Sequence, residues 1–275
     1  MIEFYKFSGS GNDFILIDNM DLSLRVGDLA AFAKSVCRRK VSVGADGLII
    51  IEPSDKVDFR WRFFNADGSE PEMCGNGGRC AARFAFLRKI AQKRMSFETL
   101  AGIIDAEVKA HGVKIRLSAP HSLVMEDRIT VNGNKIVVHS INTGVPHVVH
   151  FVNDIERFDV FTTGRAIRMH GHYQPAGTNA NFVTVADTHT LYVRTYERGV
   201  EDETLACGTG SVASALIASR KGLVKPPVDV HVRSGEVLKI YFAPIKNGFT
   251  DVYLEGKVTV VYRGSLWKEA WMKGE

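Results

Sequence analysis

Apolar residues in this chain recur mostly in short runs that alternate with polar ones and stop at Gly, Asn, Asp or Pro. The first half holds FILID from Phe14, GLIII from Gly47, FRWRFF from Phe59 and KIRL ending at Leu117. The second half holds KIVVHSI, NFVTVAD, LYVRTYE, VDVHVRS, VLKIYF, VYLEG and VTVVY. Alternation, β-branching and bounding turn residues predict strands. Helical spacing is rarer. It occurs in DLAAFAKSVCRR from Asp28, GGRCAARFAFLRK from Gly77 and GSVASALIASRK from Gly210. Strand and helix do not alternate regularly, which argues against a doubly wound parallel sheet and points to α+β.

The last two helices belong to an internal repeat. Placing Cys74 on Cys207 (207 − 74 = 133) aligns their surroundings without a gap. The same offset puts Glu70 on Glu203, Gly75 on Gly208, Gly77 on Gly210, Ala82 on Ala215 and Gly102 on Gly235. Each copy reads strand, acidic loop, Cys-Gly-x-Gly, Ala-rich helix, then a strand after Gly. Such order implies duplication and two pseudo-symmetric lobes about a pseudo-twofold axis. Both helices carry Gly and Ala on several faces, so each is expected to lie buried inside a curved sheet.

Composition adds mainly exclusions. The 275 residues are 45% hydrophobic and 24% charged, which suits one large or two smaller globular domains. A net charge of +4 comes from 35 basic and 31 acidic residues that are interspersed, so no nucleic-acid partner is expected. The start, MIEFYK, lacks the features of a signal peptide, and no apolar run approaches a membrane span. A cytoplasmic location with no membrane partner is therefore expected. Four cysteines without a CxxC pair make neither a disulfide framework nor a zinc site, and reduced thiols are expected.

Two of those thiols stand where chemistry is favoured. Cys74 and Cys207 each precede a helix, whose first-turn N–H groups stabilise a thiolate and cradle a carboxylate. Two helix tips facing one carboxylate would set both sulfurs on opposite sides of a single α-carbon. That arrangement inverts stereochemistry: one group removes the α-proton, the other supplies one, and the helix dipoles stabilise the carbanion. A lone cysteine is usually a small buried hydrophobe, and Cys37 and Cys80 are read that way. A Cys/His protease would need only one of the pair and would leave the repeat unexplained. Neither CGNGG nor CGTGS has the lysine and hydroxyl order of a phosphate loop.

The segments FNADGSEPEMCGNGGRC and YERGVEDETLACGTGS resemble the two signatures of the diaminopimelate epimerase family. SGSGNDFILID, VGADGL, NTGVPH and GTNANFV follow in that family's order. The resemblance implies a PLP-independent, metal-free homodimer that needs no cofactor and interconverts LL- and meso-diaminopimelate for lysine and peptidoglycan synthesis. It implies lobes that are mostly antiparallel sheets curled around a central helix. Residues 1–118 would form the first, with about 263–275 returning to it, and 119–262 the second. By motif match Cys74 and Cys207 are catalytic, and Gly75, Asn76, Gly208 and Thr209 hold the reacting carboxylate. Asn12, Asn65, Asn179, Glu197 and Arg198 hold the rest of the amino-acid substrate. The residue types agree, since a guanidinium binds a second carboxylate and a glutamate a second ammonium. Read without the family, the asparagines could equally be turn or cap residues, and Glu197–Arg198 a surface pair.

Val145 and Gly47 stand where some members of that family carry Asn and Gln, which removes two hydrogen bonds a substrate could use. Proline or hydroxyproline racemases also use paired thiols, but their substrates have no distant charged end for Glu197 and Arg198 to read. A phenazine-type isomerase would lack the cysteine pair. A non-enzymatic amino-acid-binding protein on this scaffold would have no use for either thiol.

Overall fold

In the computed structural model, which describes residues 1–110 and 112–272, the alternating runs form strands. Two compact units result: Met1–Ile115 with the chain from Gly256 onward, and Arg116–Glu255. Of the segment 263–275, the last three residues lie outside the described residues.

The first unit contains β1 (Ile2–Gly9), β2 (Asn12–Asp18), α1 (Leu29–Val36), β3 (Gly47–Glu52) and β4 (Phe59–Asn65). It continues with α2 (Gly75–Leu87), β5 (Arg94–Thr99), β6 (Gly102–Val108) and β7 (Val113–Arg116), and β17 (Val258–Leu266) joins it. Its strand order is β17-β1-β2-β3-β4-β5-β6-β7, antiparallel except at β2–β3 and β4–β5.

The second unit contains β8 (His121–Val131), β9 (Asn134–Asn142), β10 (Pro146–Phe151), α3 (Val160–Arg168), β11 (Asn179–Asp187) and β12 (Thr190–Glu197). After these come β13 (Asp202–Thr204), α4 (Gly208–Arg220), β14 (Val228–Val232), β15 (Val237–Ile245) and β16 (Gly248–Gly256). The order β8-β9-β10-β11-β12-β14-β15-β16 is again antiparallel except at two junctions, β10–β11 and β12–β14, while β13 adds to β12. The two units thus share one topology. Their central helices coincide at the repeat offset at both ends, 208 − 75 = 133 and 220 − 87 = 133.

Each sheet must curl to surround its helix. Helix α2 touches β1, β2, β3, β6 and β17, strands from both ends of the order, and α4 touches β9 to β12, β14 and β15. Small residues make this possible: a side chain at Gly77 would press on Ile49 and Trp61, and one at Gly210 would stand 2.2 Å from Asn181 Oδ1. The continuous apolar run of β3 is explained by burial on both faces. Ile49 faces α2, while Leu48 and Ile50 pack with Phe32, Ala33 and Val36 of α1. Helix α1 starts at Asp28, whose carboxylate accepts the Ala30 and Ala31 N–H groups at 2.9 and 3.1 Å. Among the described residues no helix is long and apolar enough to cross a membrane.

Helix α3 has no counterpart among the helices expected from sequence. Its VFTTGRAIR is rich in weak helix formers. It forms because Asp159 caps it and because Val160 and Ile167 bury against Val148, Phe182 and Tyr196. Gly164 sets the approach: an added Cβ would lie 2.4 Å from the Tyr196 Cβ. Gly164→Ala is expected to destabilise the fold by about 1–3 kcal/mol despite the better helix propensity of alanine. Urea unfolding checks this, and an unchanged or higher midpoint would contradict the close packing of α3 on β12.

Candidate functional site

Helices α2 and α4 begin alike. Cys74 and Cys207 are their N-cap residues, both extended, at φ −140°, ψ 118° and φ −122°, ψ 109°. A helix start leaves N–H groups without intrahelical acceptors, and Ser, Thr, Asp or Asn usually supplies one. Here Cys74 Sγ accepts the Gly77 N–H at 3.4 Å. Sulfur is a weak acceptor, so the amides of this turn remain disposed toward an anion and favour the sulfur as thiolate.

Cys207 has different neighbours. Its Sγ lies 3.7 Å from Thr209 Oγ1, and the Glu197 carboxyl is beside it. Burial pushes the Glu197 carboxyl above its usual range. It does not pair with Arg198, whose guanidinium donates to Ala176 O at 2.7 Å.

In the first unit, Asn12 and Asn76 meet at the tip of α2: Asn76 Nδ2 donates to Asn12 Oδ1 at 2.6 Å. The Gly75 carbonyl accepts from Arg79 at 3.4 Å. Asn65 closes the turn after β4, donating its side chain to Ser69 Oγ at 3.0 Å. In the second unit, Asn179 is buried, donates to Pro146 O at 3.0 Å and accepts the Arg198 N–H at 2.9 Å, so it braces the backbone from which Arg198 projects. Thr143 Oγ1 donates to the Thr209 carbonyl at 3.0 Å, and Gly208 opens α4. The structure thus gathers Asn12, Gly75 and Asn76 at Cys74, gathers Glu197, Gly208 and Thr209 at Cys207, and joins Asn179 to Arg198.

Several residues at these tips escaped the sequence reading. Asn181 Nδ2 lies 3.2 Å from His147 Nδ1 and donates to Val148 O at 2.8 Å, while its Oδ1 accepts from Thr195 at 2.9 Å. This leaves the hydrogen of His147 on Nε2, which has no hydrogen-bond partner among the described residues. Burial, assisted by the positive charge of Arg198, pushes the imidazole down to about 3, so it stays neutral. Arg79 and Ser10 complete the group. Arg79, His147 and Asn181 all lie inside the motif segments, so their position was legible although their task was not.

Comparison with known proteins adds an independent line. The chain matches the diaminopimelate epimerase family profile over residues 4–123 and 139–261. It is 49% identical to the diaminopimelate epimerase of Aquifex aeolicus, across 98% of this chain and 99% of that one. Among solved structures, a Bacillus anthracis phenazine biosynthesis protein of the PhzF family superposes with a TM-score of 0.71 at 14% identity, covering 97% of this chain and 99% of that one. A probable proline racemase from Agrobacterium radiobacter gives 0.69 at 11% identity, covering 99% and 96%. At such low identity these two show the shared fold alone.

The four thiols should differ in reactivity. Cys37 is buried in the outer core, which pushes its thiol up to about 12, and Cys80 is fully buried. Brief treatment of the native protein with iodoacetamide should modify Cys74 first and leave Cys37 and Cys80 intact, as read by peptide mass spectrometry. Modification of Cys37 as fast as Cys74 would contradict the assignment of Cys74 as the activated thiol.

Proposed function

The chain belongs to the diaminopimelate epimerase family, and from that premise we propose that it interconverts LL- and meso-diaminopimelate by a two-thiol mechanism, without PLP. The observation that carries the reading is the paired placement of Cys74 and Cys207, each capping a buried helix at equivalent points of one repeated topology. One cysteine, as thiolate, takes the α-proton. The C–H electron pair passes into the α-carbanion, whose charge spreads onto the carboxylate. The other cysteine, as thiol, gives its proton to the opposite face. The thiolate and thiol have then exchanged places, and the reverse reaction uses them in reverse.

The carboxylate charge that grows in this step falls to Gly75, Asn76, Gly208 and Thr209 of the two helix starts. Asn12, Asn65, Asn179 and Arg198 hold the remainder of the substrate. Glu197, beside Cys207, is the candidate for the distant ammonium. Such an enzyme serves lysine and peptidoglycan precursor synthesis in the cytoplasm. It acts as a homodimer, for which the exposed Val260, Val261 and Tyr262 of β17 offer an apolar surface.

Exchange of the α-hydrogen of diaminopimelate in deuterated water tests the mechanism. Cys74→Ala and Cys207→Ala should each lower kcat by about 10²–10⁴-fold or more, because inversion needs a donor and an acceptor on opposite faces. Near-normal epimerisation by either variant would sink the two-thiol scheme.

Specificity is tested separately. Arg198→Ala should lower kcat/KM on diaminopimelate by roughly thirtyfold to several thousandfold, the loss of one desolvated charge partner. The wild type should turn over neither lysine, which lacks the distant carboxylate, nor proline, which lacks both distant charges. Efficient proline racemisation would replace the substrate assignment and leave the paired-thiol chemistry standing.

A further inference from the structure

The tip of α2 carries a construction that the tip of α4 lacks. Arg79, in the second turn, is fully buried, although a buried guanidinium is rare without a definite task. Its Nη2 donates to Asn76 Oδ1 at 2.9 Å and to Ser10 Oγ. Asn76 Nδ2 donates to Asn12 Oδ1 at 2.6 Å, and Asn12 Nδ2 donates to Asp46 Oδ2 at 3.0 Å. The bonds form one directed relay, from the cation Arg79 through two carboxamides to the anion Asp46.

The direction is enforced by chemistry. A guanidinium has donors only, and an ionised carboxylate acceptors only. A carboxamide between neutral partners can turn over and exchange its oxygen for its nitrogen. Between these two ends, turning either amide would oppose donor to donor or acceptor to acceptor. At the repeat offset of 133, Val212 stands in place of Arg79 and Val145 in place of Asn12, so the second unit has no equivalent.

We propose that Arg79 and Asp46 are positioning residues that lock the Asn76 and Asn12 amides in one orientation, so that the hydrogen remaining on Asn76 Nδ2 is presented to the reacting carboxylate and that on Asn12 Nδ2 to the remainder of the substrate. This rests on the assignment of Asn12 and Asn76 to the substrate. It makes recognition of the reacting carboxylate unequal between the helix tips: the α2 tip is preset for an anion by side chains, while α4 relies on its main chain and Thr209. A neutral α-carboxamide in place of the carboxylate would meet donors facing its own N–H groups.

Two readouts test the relay. The first needs no substrate: the side-chain ¹⁵N–¹H signals of Asn12 and Asn76, assigned by substitution, are compared in wild type, Arg79→Lys and Asp46→Ala. Each variant should move the signal of the distant asparagine as well as the adjacent one. A distant amide left unchanged in both variants would overturn the relay, whatever the enzyme turns over. The second is kinetic. Asp46→Ala should raise KM for diaminopimelate about tenfold with a smaller change in kcat and little loss of thermal stability. Arg94→Met, which removes an exposed ion pair to Glu107, should leave KM unchanged. A wild-type KM in Asp46→Ala would overturn the positioning role. A wild type inactive on diaminopimelate would instead overturn the functional reading, and the amide signals would still decide the relay.

Discussion

A helix buried on every side can offer its unsatisfied amides to a ligand only at its ends, and here the rest of the structure depends on that constraint. The faces of α2 and α4 are closed by curled sheets, which their Gly and Ala residues let approach. An oxygen cap would satisfy the first-turn amides fully. A cysteine cap does so weakly, and it places a sulfur in the strongest part of the helix field. One residue type at one position can therefore supply both the reactive atom and the anion site that the proposed function requires. The sheet curvature, the small residues and the glycines after each cysteine all serve to keep that tip open and the remainder closed.

The duplication preserved topology more strictly than side chains. Strand order, the two parallel junctions and the limits of the central helix are common to both units. The polar surroundings are not. Cys74 accepts a backbone N–H, whereas Cys207 lies beside Glu197, for which the first unit has Phe64 at the repeat offset. The side-chain relay from Arg79 occurs only in the first unit. Under the proposed mechanism the two thiols hold one proton between them, and unlike environments would favour one site for it.

Much of the fold was legible because strands and the three expected helices rest on local periodicity. The run GLIII needed only a count of consecutive apolar residues to be recognised as a strand, although its burial on both faces came from α1 and α2. The segment VFTTGRAIR shows the limit. Its own residues prefer other conformations, and it becomes helical because Asp159 and the Tyr196 face stabilise it. No window within the segment contains that information.

The candidate site divides in the same way. By itself the sequence determined the duplication, the two cysteines at helix starts and the small residues around them, since each is a matter of residue type at short spacing. Only the tertiary structure decided what each side chain does. Asn12 and Asn76 are 64 residues apart and share a hydrogen bond, and Asn12 and Asp46 are joined across 34. Glu197 turns from its sequence neighbour Arg198 to Cys207, and His147 loses its charge through burial beside Asn181. Desolvation and hydrogen-bond direction depend on everything packed around a group, and most of that comes from distant parts of the chain.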